Sequence, residues 1–154
     1  MLKDLATVEA YLTDLRDIHS RGVGTKETSY YTPLVNLLND VGKTLKPKIH
    51  CIMHPASRGA GIPDIGLFGT KKANRDEAAE FLQGEIPEHG VIEVKSTSEE
   101  VGLTADSEQV SRYWDRYRQV LVTNYRDFLL VSEDTSGRPT KLEPFRLAES
   151  ADAF

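Results

Sequence analysis

The chain has 154 residues, of which 39% are hydrophobic and 28% are charged, with one cysteine and a net charge of −5. This length suits one globular domain with its own core, and the single cysteine excludes an internal disulfide and fits a reducing cytoplasm. No apolar stretch is long enough to span a bilayer, so we expect a cytoplasmic protein without a membrane partner. The acidic balance argues against a protein that coats nucleic acid, but it permits an enzyme with a local basic surface and an acidic metal site.

Two amphipathic helices are expected at the start of the chain. Apolar residues at helical spacing predict the first helix over residues 2–19. A second apolar stripe follows the break SRGVGT and predicts another helix, with Gly42 as its C-terminal cap. Pro33 leaves two starts open: near Lys26 with a distortion at Pro33, or at Pro33 itself with Thr32 as the cap. We favour the first.

Strands dominate the rest of the chain. In order we expect a strand in KPKIHCIMHP, the loop ASRGAG, a strand in IPDIGLFG, a long polar connection over residues 70–89, a strand in GVIEVKS, a helix from Asp106 to about Val122, a strand in DFLLVSE, the turn SGRP and an edge strand in KLEPFRL. This order predicts an α/β fold with a mixed central sheet of four to five strands flanked by helices.

Two charges interrupt the apolar strand GVIEVKS. Because alternate side chains of a strand share a face, Glu93 and Lys95 should point one way and Ile92 and Val94 the other way, into a core. Buried unpaired charge is costly, so the charged face must carry partners or border a cleft. Taken alone, the tripeptide is better interpreted as part of a half-exposed strand with an internal ion pair.

Asp64, in the preceding strand, supplies a partner for this face. If the two strands are neighbours, Asp64 and Glu93 converge at one end of the sheet, where two carboxylates repel each other. A divalent cation resolves this repulsion, and hard oxygen ligands favour Mg²⁺ or Mn²⁺. Without Glu93, Asp64 would be better interpreted as a turn residue.

The pair Pro63-Asp64, followed 29 positions later by Glu93-Val94-Lys95, resembles the motif of the PD-(D/E)xK nuclease superfamily. The resemblance implies a restriction-endonuclease-like core and hydrolysis of DNA phosphodiester bonds. It also implies that Asp64, Glu93 and the Val94 carbonyl bind Mg²⁺, for which Mn²⁺ can substitute. Lys95 would orient the attacking water or stabilise the developing charge.

Two further features agree with this resemblance. Glu27 lies on the inward stripe of the second helix, where a glutamate of the superfamily often completes the metal site; a first-turn glutamate favoured by the helix dipole is the equal alternative. Gln109 and Tyr113 stand one turn apart and resemble the Q-x-x-x-Y motif of the exonuclease-like branch, where the glutamine supports the site and the tyrosine approaches DNA. Plain packing of Tyr113 is the rival interpretation.

A basic surface for double-stranded DNA is expected around this helix. Arg112 and Arg116 lie on the face next to Gln109, and they could meet phosphates together with Arg58 of the loop ASRGAG. Over roughly residues 20 to 147 the chain looks like the N-terminal nuclease domain of bacterial restriction–modification polypeptides. The resemblance implies adenine-specific methyltransferase and target-recognition domains on the same full-length chain. We therefore expect residues 1–154 to be a single domain cut from a longer polypeptide.

Two other patterns are set aside. His50, Cys51 and His54 lack a second pair of zinc ligands, and Asn124 and Asp127 fit turn roles better than catalysis.

Two functions are carried forward. One is a metal-dependent endodeoxyribonuclease domain of a restriction–modification system. The other is a non-catalytic DNA- or protein-interaction domain on the same fold, because fold alone does not decide between them. The presence of all three residues of the Asp–Glu–Lys triad favours the enzyme.

Overall fold

The computed structural model describes residues 2–21, 27–55, 59–69 and 86–147. In chain order, the elements are α1 (Leu2–Ser20), a 3₁₀ turn (Glu27–Tyr30), α2 (Tyr31–Gly42), β1 (Ile49–Met53), β2 (Ile65–Gly69), β3 (Val91–Val94), α3 (Val101–Ala105), α4 (Glu108–Tyr117), β4 (Val120–Thr123), β5 (Asp127–Glu133), β6 (Pro139–Lys141) and β7 (Phe145–Arg146). No helix in this part of the chain combines the length and apolar character needed to cross a membrane.

The strands form one mixed sheet in the order β1-β2-β3-β4-β5-β6, and β7 also pairs with β5. All neighbours are antiparallel except β3 and β4, which are parallel. Helices α3 and α4 make the crossover that a parallel pair requires. The predicted fold class, a mixed sheet flanked by helices, is confirmed, although the described residues form seven strands rather than four to five.

A separate apolar core covers each face of the sheet. On one face, Ile65, Ile92 and Val94 pack with α1 and α2. On the other face, Val91 and Val122 pack with α4. Each fully buried side chain of this size stabilises the fold by about 1.5–3 kcal/mol. Strand β3 is therefore fixed from both sides, and any charge on it is enclosed by protein.

The second helical segment confirms one expectation and corrects another. Helical structure is present from Glu27, ahead of Pro33, as favoured above. Gly42 is the last residue of α2, but the capping position is Lys43, so the predicted role of Gly42 was wrong. Gly42 is instead required by a close approach, because a β-carbon there would collide with the carbonyl oxygen of Ile49.

The helix predicted from Asp106 to about Val122 is a helix followed by a strand. Helix α4 ends at Tyr117, because Arg118 adopts a left-handed conformation (φ 64°) and donates its N–H to the Trp114 carbonyl at 2.8 Å. The Arg118 guanidinium also lies 4.6 Å from the centroid of the Trp114 ring, which favours this non-glycine stop. Leu121 falls on the helical stripe by coincidence of spacing, whereas the β-branched residues around it form β4.

The remaining elements agree with the expectations in part. The predicted strand DFLLVSE is β5, but the predicted edge strand KLEPFRL supplies only β7 and the last residue of β6, which begins at Pro139 of the predicted turn SGRP. Residues 142–144 separate β6 from β7. Pro144, which has no N–H to donate, lies in this interruption. The short helix α3 was not predicted. Most of the connection expected over residues 70–89 lies outside the described residues.

Candidate active site

Asp64 and Glu93 meet at one end of the sheet. Strands β2 and β3 are antiparallel with Ile65 opposite Ile92, so Asp64, one residue before β2, lies at the same end of this pair as Glu93. Asp64 was expected within the strand, but it lies in the bend just before it. Glu93 alternates with Ile92 and Val94 and therefore faces the side covered by α4, whereas Asp64 is bonded to Tyr31 of α2. The expectation that the two strands are neighbours is confirmed.

Hydrogen bonds hold both oxygens of the Asp64 carboxylate. The backbone N–H of Val94 donates to Oδ2 at 2.7 Å, and the Tyr31 hydroxyl donates to Oδ1 at 3.0 Å. The backbone of Asp64 is fixed as well, because its carbonyl accepts the N–H of His54 at 2.8 Å. Each carboxylate oxygen has a further lone pair, and the residue is partly exposed, so the oriented group can still bind a ligand.

Glu93 is buried and paired with Lys95. Its exposed fraction is 4%, and its Oε1 lies 3.0 Å from the Lys95 ammonium. The ion pair expected from the simpler interpretation is present, but the strand is buried rather than half-exposed. Burial disfavours the charged form of Lys95, yet the hydrogen bond and charge of Glu93, with the charges of Glu99 and Asp64, outweigh it and raise the pKa of Lys95. Lys95 is therefore a cation at neutral pH.

Gln109 and Tyr113 form a hydrogen-bonded chain that reaches the Asp64 loop. Gln109 Nε2 donates to the Tyr113 hydroxyl at 2.8 Å, and this hydroxyl donates to the Ile62 carbonyl at 3.0 Å. Tyr113 is completely buried, and its pKa is raised by burial, with the charges of Glu93 and Asp64 adding to the effect against the hydrogen bond from Gln109. This geometry favours packing and support of the loop over direct contact of Tyr113 with DNA.

The two arginines of α4 lie on its outer face, away from the core. An open pocket of about 300 Å³ is present there, lined by Gly59, Ala60, Arg112, Asp115 and Arg116. Arg112 is also within 3.6 Å of Glu108, an exposed pair one turn apart. Arg58 lies outside the described residues. Phosphate binding by this face remains a prediction.

The loop after Lys95 is anchored by polar side chains from the turn between β4 and β5. Asn124 Nδ2 donates to the Glu99 carbonyl at 2.7 Å, and Arg126 Nε donates to the Thr97 carbonyl at 3.1 Å. Sequence reasoning did not foresee these contacts, because no local pattern links Asn124 with a loop 25 residues earlier. These tertiary hydrogen bonds therefore fix the position of the loop that follows Lys95.

Asn124 and Asp127 have the turn roles expected from the sequence. Asn124 Oδ1 accepts the N–H groups of Arg126 and Asp127 at 3.2 and 2.8 Å, which closes the β4–β5 turn around Tyr125, a non-glycine residue with φ 76°. The buried Asp127 carboxylate accepts two hydrogen bonds from Arg146, at 2.7 and 3.3 Å. These side chains explain why the turn is rigid without a glycine.

Asp64 and Glu93 are the two acidic residues of the Asp–Glu–Lys triad that the sequence analysis placed in the site. Within the described residues, no three or more histidine, cysteine or acidic side chains are grouped so that they could hold a metal ion. Glu27 begins the 3₁₀ turn before α2, but its side chain lies outside the described part. Whether it completes the site stays a prediction.

Comparison with known proteins identifies the fold. No protein-family model and no curated protein sequence matches the chain. Among solved structures, it resembles a chain from a cryoEM structure of a DrdV–DNA complex, with a TM-score of 0.64, 18% sequence identity and 97% of this chain covered. The similarity spans 13% of the length of that larger chain. Together with the observed sheet and helices, this likeness confirms the predicted fold class, a restriction-endonuclease-like core.

Proposed function

We propose that the domain is a Mg²⁺-dependent endodeoxyribonuclease of the PD-(D/E)xK type. The observation that carries the proposal is the Asp64 carboxylate, just before β2, bonded at 2.7 Å to the N–H of Val94, the residue between Glu93 and Lys95, whose ion pair spans 3.0 Å. A sheet held together by packing alone has no need for a buried acid, a lysine and an oriented aspartate at one point. The fold likeness to a chain from a DNA complex supports double-stranded DNA as the substrate.

The donor atoms suit Mg²⁺. Two carboxylates are a typical protein contribution to a Mg²⁺ site, which keeps several waters. In an extended strand, the N–H and C=O of one residue point toward the same neighbour, so the Val94 carbonyl is directed to the side where its N–H meets Asp64. All three donors are hard oxygen atoms, the type that Mg²⁺ and Mn²⁺ prefer. Glu27 is the fourth donor that the resemblance implies.

Each residue then has a definite task. When bound, Mg²⁺ supplies positive charge that offsets the charge on the attacked phosphate. Lys95, protonated at neutral pH, stabilises negative charge that develops during attack or orients the water. Gln109 and Tyr113 hold the loop that carries Asp64, through the Ile62 carbonyl.

The surroundings of the site complete the proposal. The outer face of α4 carries Arg112 and Arg116, which with Arg58 would contact the DNA backbone. The chain corresponds in fold to a small part of a much longer protein chain. We propose that methyltransferase and target-recognition domains accompany it on a full-length restriction–modification polypeptide.

The test is metal-dependent cleavage of plasmid DNA by the purified domain. We expect nicking with Mg²⁺ or Mn²⁺, none with EDTA, and none with Asp64→Asn, because that change removes a charged ligand and keeps the side-chain volume. Asp106→Asn is the matched control. It makes the same substitution at an aspartate whose carboxylate also accepts a hydrogen bond, from Lys141 at 2.7 Å, but on the exposed surface, so this variant should cleave like the wild type.

Equal nicking with and without EDTA, or full activity of Asp64→Asn, would rule out the proposed mechanism. DNA binding without nicking at any metal concentration would instead favour the non-catalytic interaction domain.

A further inference from the structure

Tyr31 lies beside the proposed metal site, although no motif of the sequence marks it as a site residue. It is the first residue of α2, its exposed fraction is 8%, and its hydroxyl donates to Asp64 Oδ1 at 3.0 Å. Its ring contacts the ring of His54, with centroids 5.9 Å apart. His54 in turn donates its backbone N–H to the Asp64 carbonyl. Tyr31 is thus joined to Asp64 directly and through the end of β1.

Among the described residues, the Tyr31 hydroxyl and the Val94 N–H donate to the Asp64 carboxylate. The Val94 N–H at Oδ2 holds one oxygen, and rotation about the carboxylate axis is prevented only when the other oxygen is held as well. Val94 is itself a proposed ligand through its carbonyl. The Tyr31 hydroxyl therefore fixes the plane of the Asp64 carboxylate, and Tyr31 is not itself a proposed metal ligand.

We propose that Tyr31 is a positioning residue, whose hydroxyl holds the Asp64 carboxylate in the orientation that binds the metal ion. The inference rests on the proposed function and deepens it. Partners that orient metal ligands contribute about 10–100-fold to metal affinity or activity. Because Tyr31 directly follows the turn Glu27–Tyr30, the same hydrogen bond also ties the backbone of the helical segment that carries Glu27 to the bend at Asp64, just before β2.

The test compares Mn²⁺ binding to DNA-free protein by calorimetry for wild type, Tyr31→Phe, Tyr11→Phe and Asp64→Asn. Tyr11→Phe is the matched control, because its hydroxyl also donates one buried hydrogen bond, to the Tyr125 carbonyl at 2.6 Å and not to a proposed ligand. We expect Asp64→Asn to lose binding, Tyr31→Phe to weaken it about 10–100-fold, and Tyr11→Phe to bind like the wild type. In single-turnover cleavage, raising Mn²⁺ should restore much of the Tyr31→Phe rate.

The outcomes separate this inference from the function on which it rests. Wild-type affinity in Tyr31→Phe, with Asp64→Asn impaired, overturns the role of Tyr31 and leaves the proposed function standing. An equal loss in Tyr31→Phe and Tyr11→Phe overturns it too, because general loosening would then be the cause. Failure of wild type to bind Mn²⁺, or full binding by Asp64→Asn, overturns both.

Discussion

Glu93 and Lys95 share one ion pair, but they are embedded in the protein to different depths. The Glu93 side chain is 5% exposed, whereas the Lys95 side chain is 33% exposed. A lysine at this depth can turn its ammonium toward water through its flexible stem, while the carboxylate cannot leave the face under α4. The pair is therefore asymmetric, because Glu93 needs the ammonium of Lys95 to offset its burial more than Lys95 needs the carboxylate of Glu93.

This asymmetry predicts unequal effects on the stability of the metal-free protein. Glu93→Gln should change the free energy of unfolding by less than about 1 kcal/mol, or raise it, because a neutral amide costs less to bury and repulsion with Asp64 ends. Lys95→Met should lower it by about 1–3 kcal/mol, because the buried carboxylate loses the ammonium beside it. Urea unfolding at neutral pH measures both. If Glu93→Gln lowers the free energy of unfolding more than Lys95→Met does, the burial of Lys95, rather than that of Glu93, is the costly one.

Lys95 should act on the reaction more than on metal binding. A protonated lysine cannot be a ligand, so Lys95→Met should leave Mn²⁺ affinity unchanged or tighter while single-turnover cleavage falls by about 10²–10³-fold. Lys141→Met is the control, since Lys141 also pairs with a carboxylate but lies far along the sheet at β6. An untouched cleavage rate in Lys95→Met would reduce Lys95 to a counter-ion of Glu93.

At the scale of the element, α4 separates its two tasks by face. The inner face buries Val110, Tyr113, Trp114 and Tyr117, while the outer face carries Arg112 and Arg116. Its start is set by Ser107, whose side chain accepts the Val110 N–H at 3.2 Å as an N-cap. Substitutions on the outer face should therefore change binding without changing the fold.

Arg112→Ala and Arg116→Ala should weaken DNA binding and flatten its dependence on salt. Each lost phosphate contact should lower the slope of log affinity against log salt by about 0.9. The slope is measured on protein made inactive by Asp64→Asn. Arg138→Ala, an exposed arginine in the β5–β6 turn, is the control and should keep the wild-type slope. Unchanged slopes for both α4 variants would move the DNA surface to another part of the molecule.

The sequence was informative where the pattern was local and uninformative where a distant contact decided the structure. Strand β5 and the shared face of Glu93 and Lys95 follow from residue type and alternation, so they could be predicted. The end of α4 could not, because Arg118 in a left-handed conformation leaves no glycine signal. Tyr31 lies on the apolar stripe that predicts the second helix, and a tyrosine at that spacing packs equally well with or without a hydrogen bond to Asp64, so its link to Asp64 could not be predicted.

At the scale of the whole molecule, the sheet is enclosed well enough to suppress the acidity of groups inside it. Burial raises the pKa of the Cys51 thiol in β1 from 9.0 to about 12, and burial also raises the pKa of the Tyr11 hydroxyl in α1. Both lie in the core between the sheet and the N-terminal helices. The folded state therefore holds these protons more tightly than the unfolded state does.

Stability should consequently fall on the alkaline side. For a group whose pKa is raised by folding, the full stability is present below its unfolded value, here pH 9.0, and is lost as the pH rises toward 12. Cys51→Ala should lose about 1 kcal/mol at pH 7 but show a shallower decline between pH 9 and 11. Unfolding free energies at three pH values check this. Parallel curves for the two proteins would assign the alkaline decline to other groups.

The antiparallel pairing of β2 and β3 also decides which features of this motif are free to vary in evolution. Strand β2 runs away from Asp64 toward Gly69, and β3 runs back toward Glu93, so the chain leaves and re-enters the sheet at the end remote from the chemistry. The number of residues between the two acids can therefore drift without moving either carboxylate. The register between β2 and β3 cannot drift in the same way, because a slip of one residue would move the Asp64 side chain to the opposite face of the sheet. Relatives of this domain should therefore be recognised by the face of the sheet on which each of the two acids lies, and not by the number of residues between them.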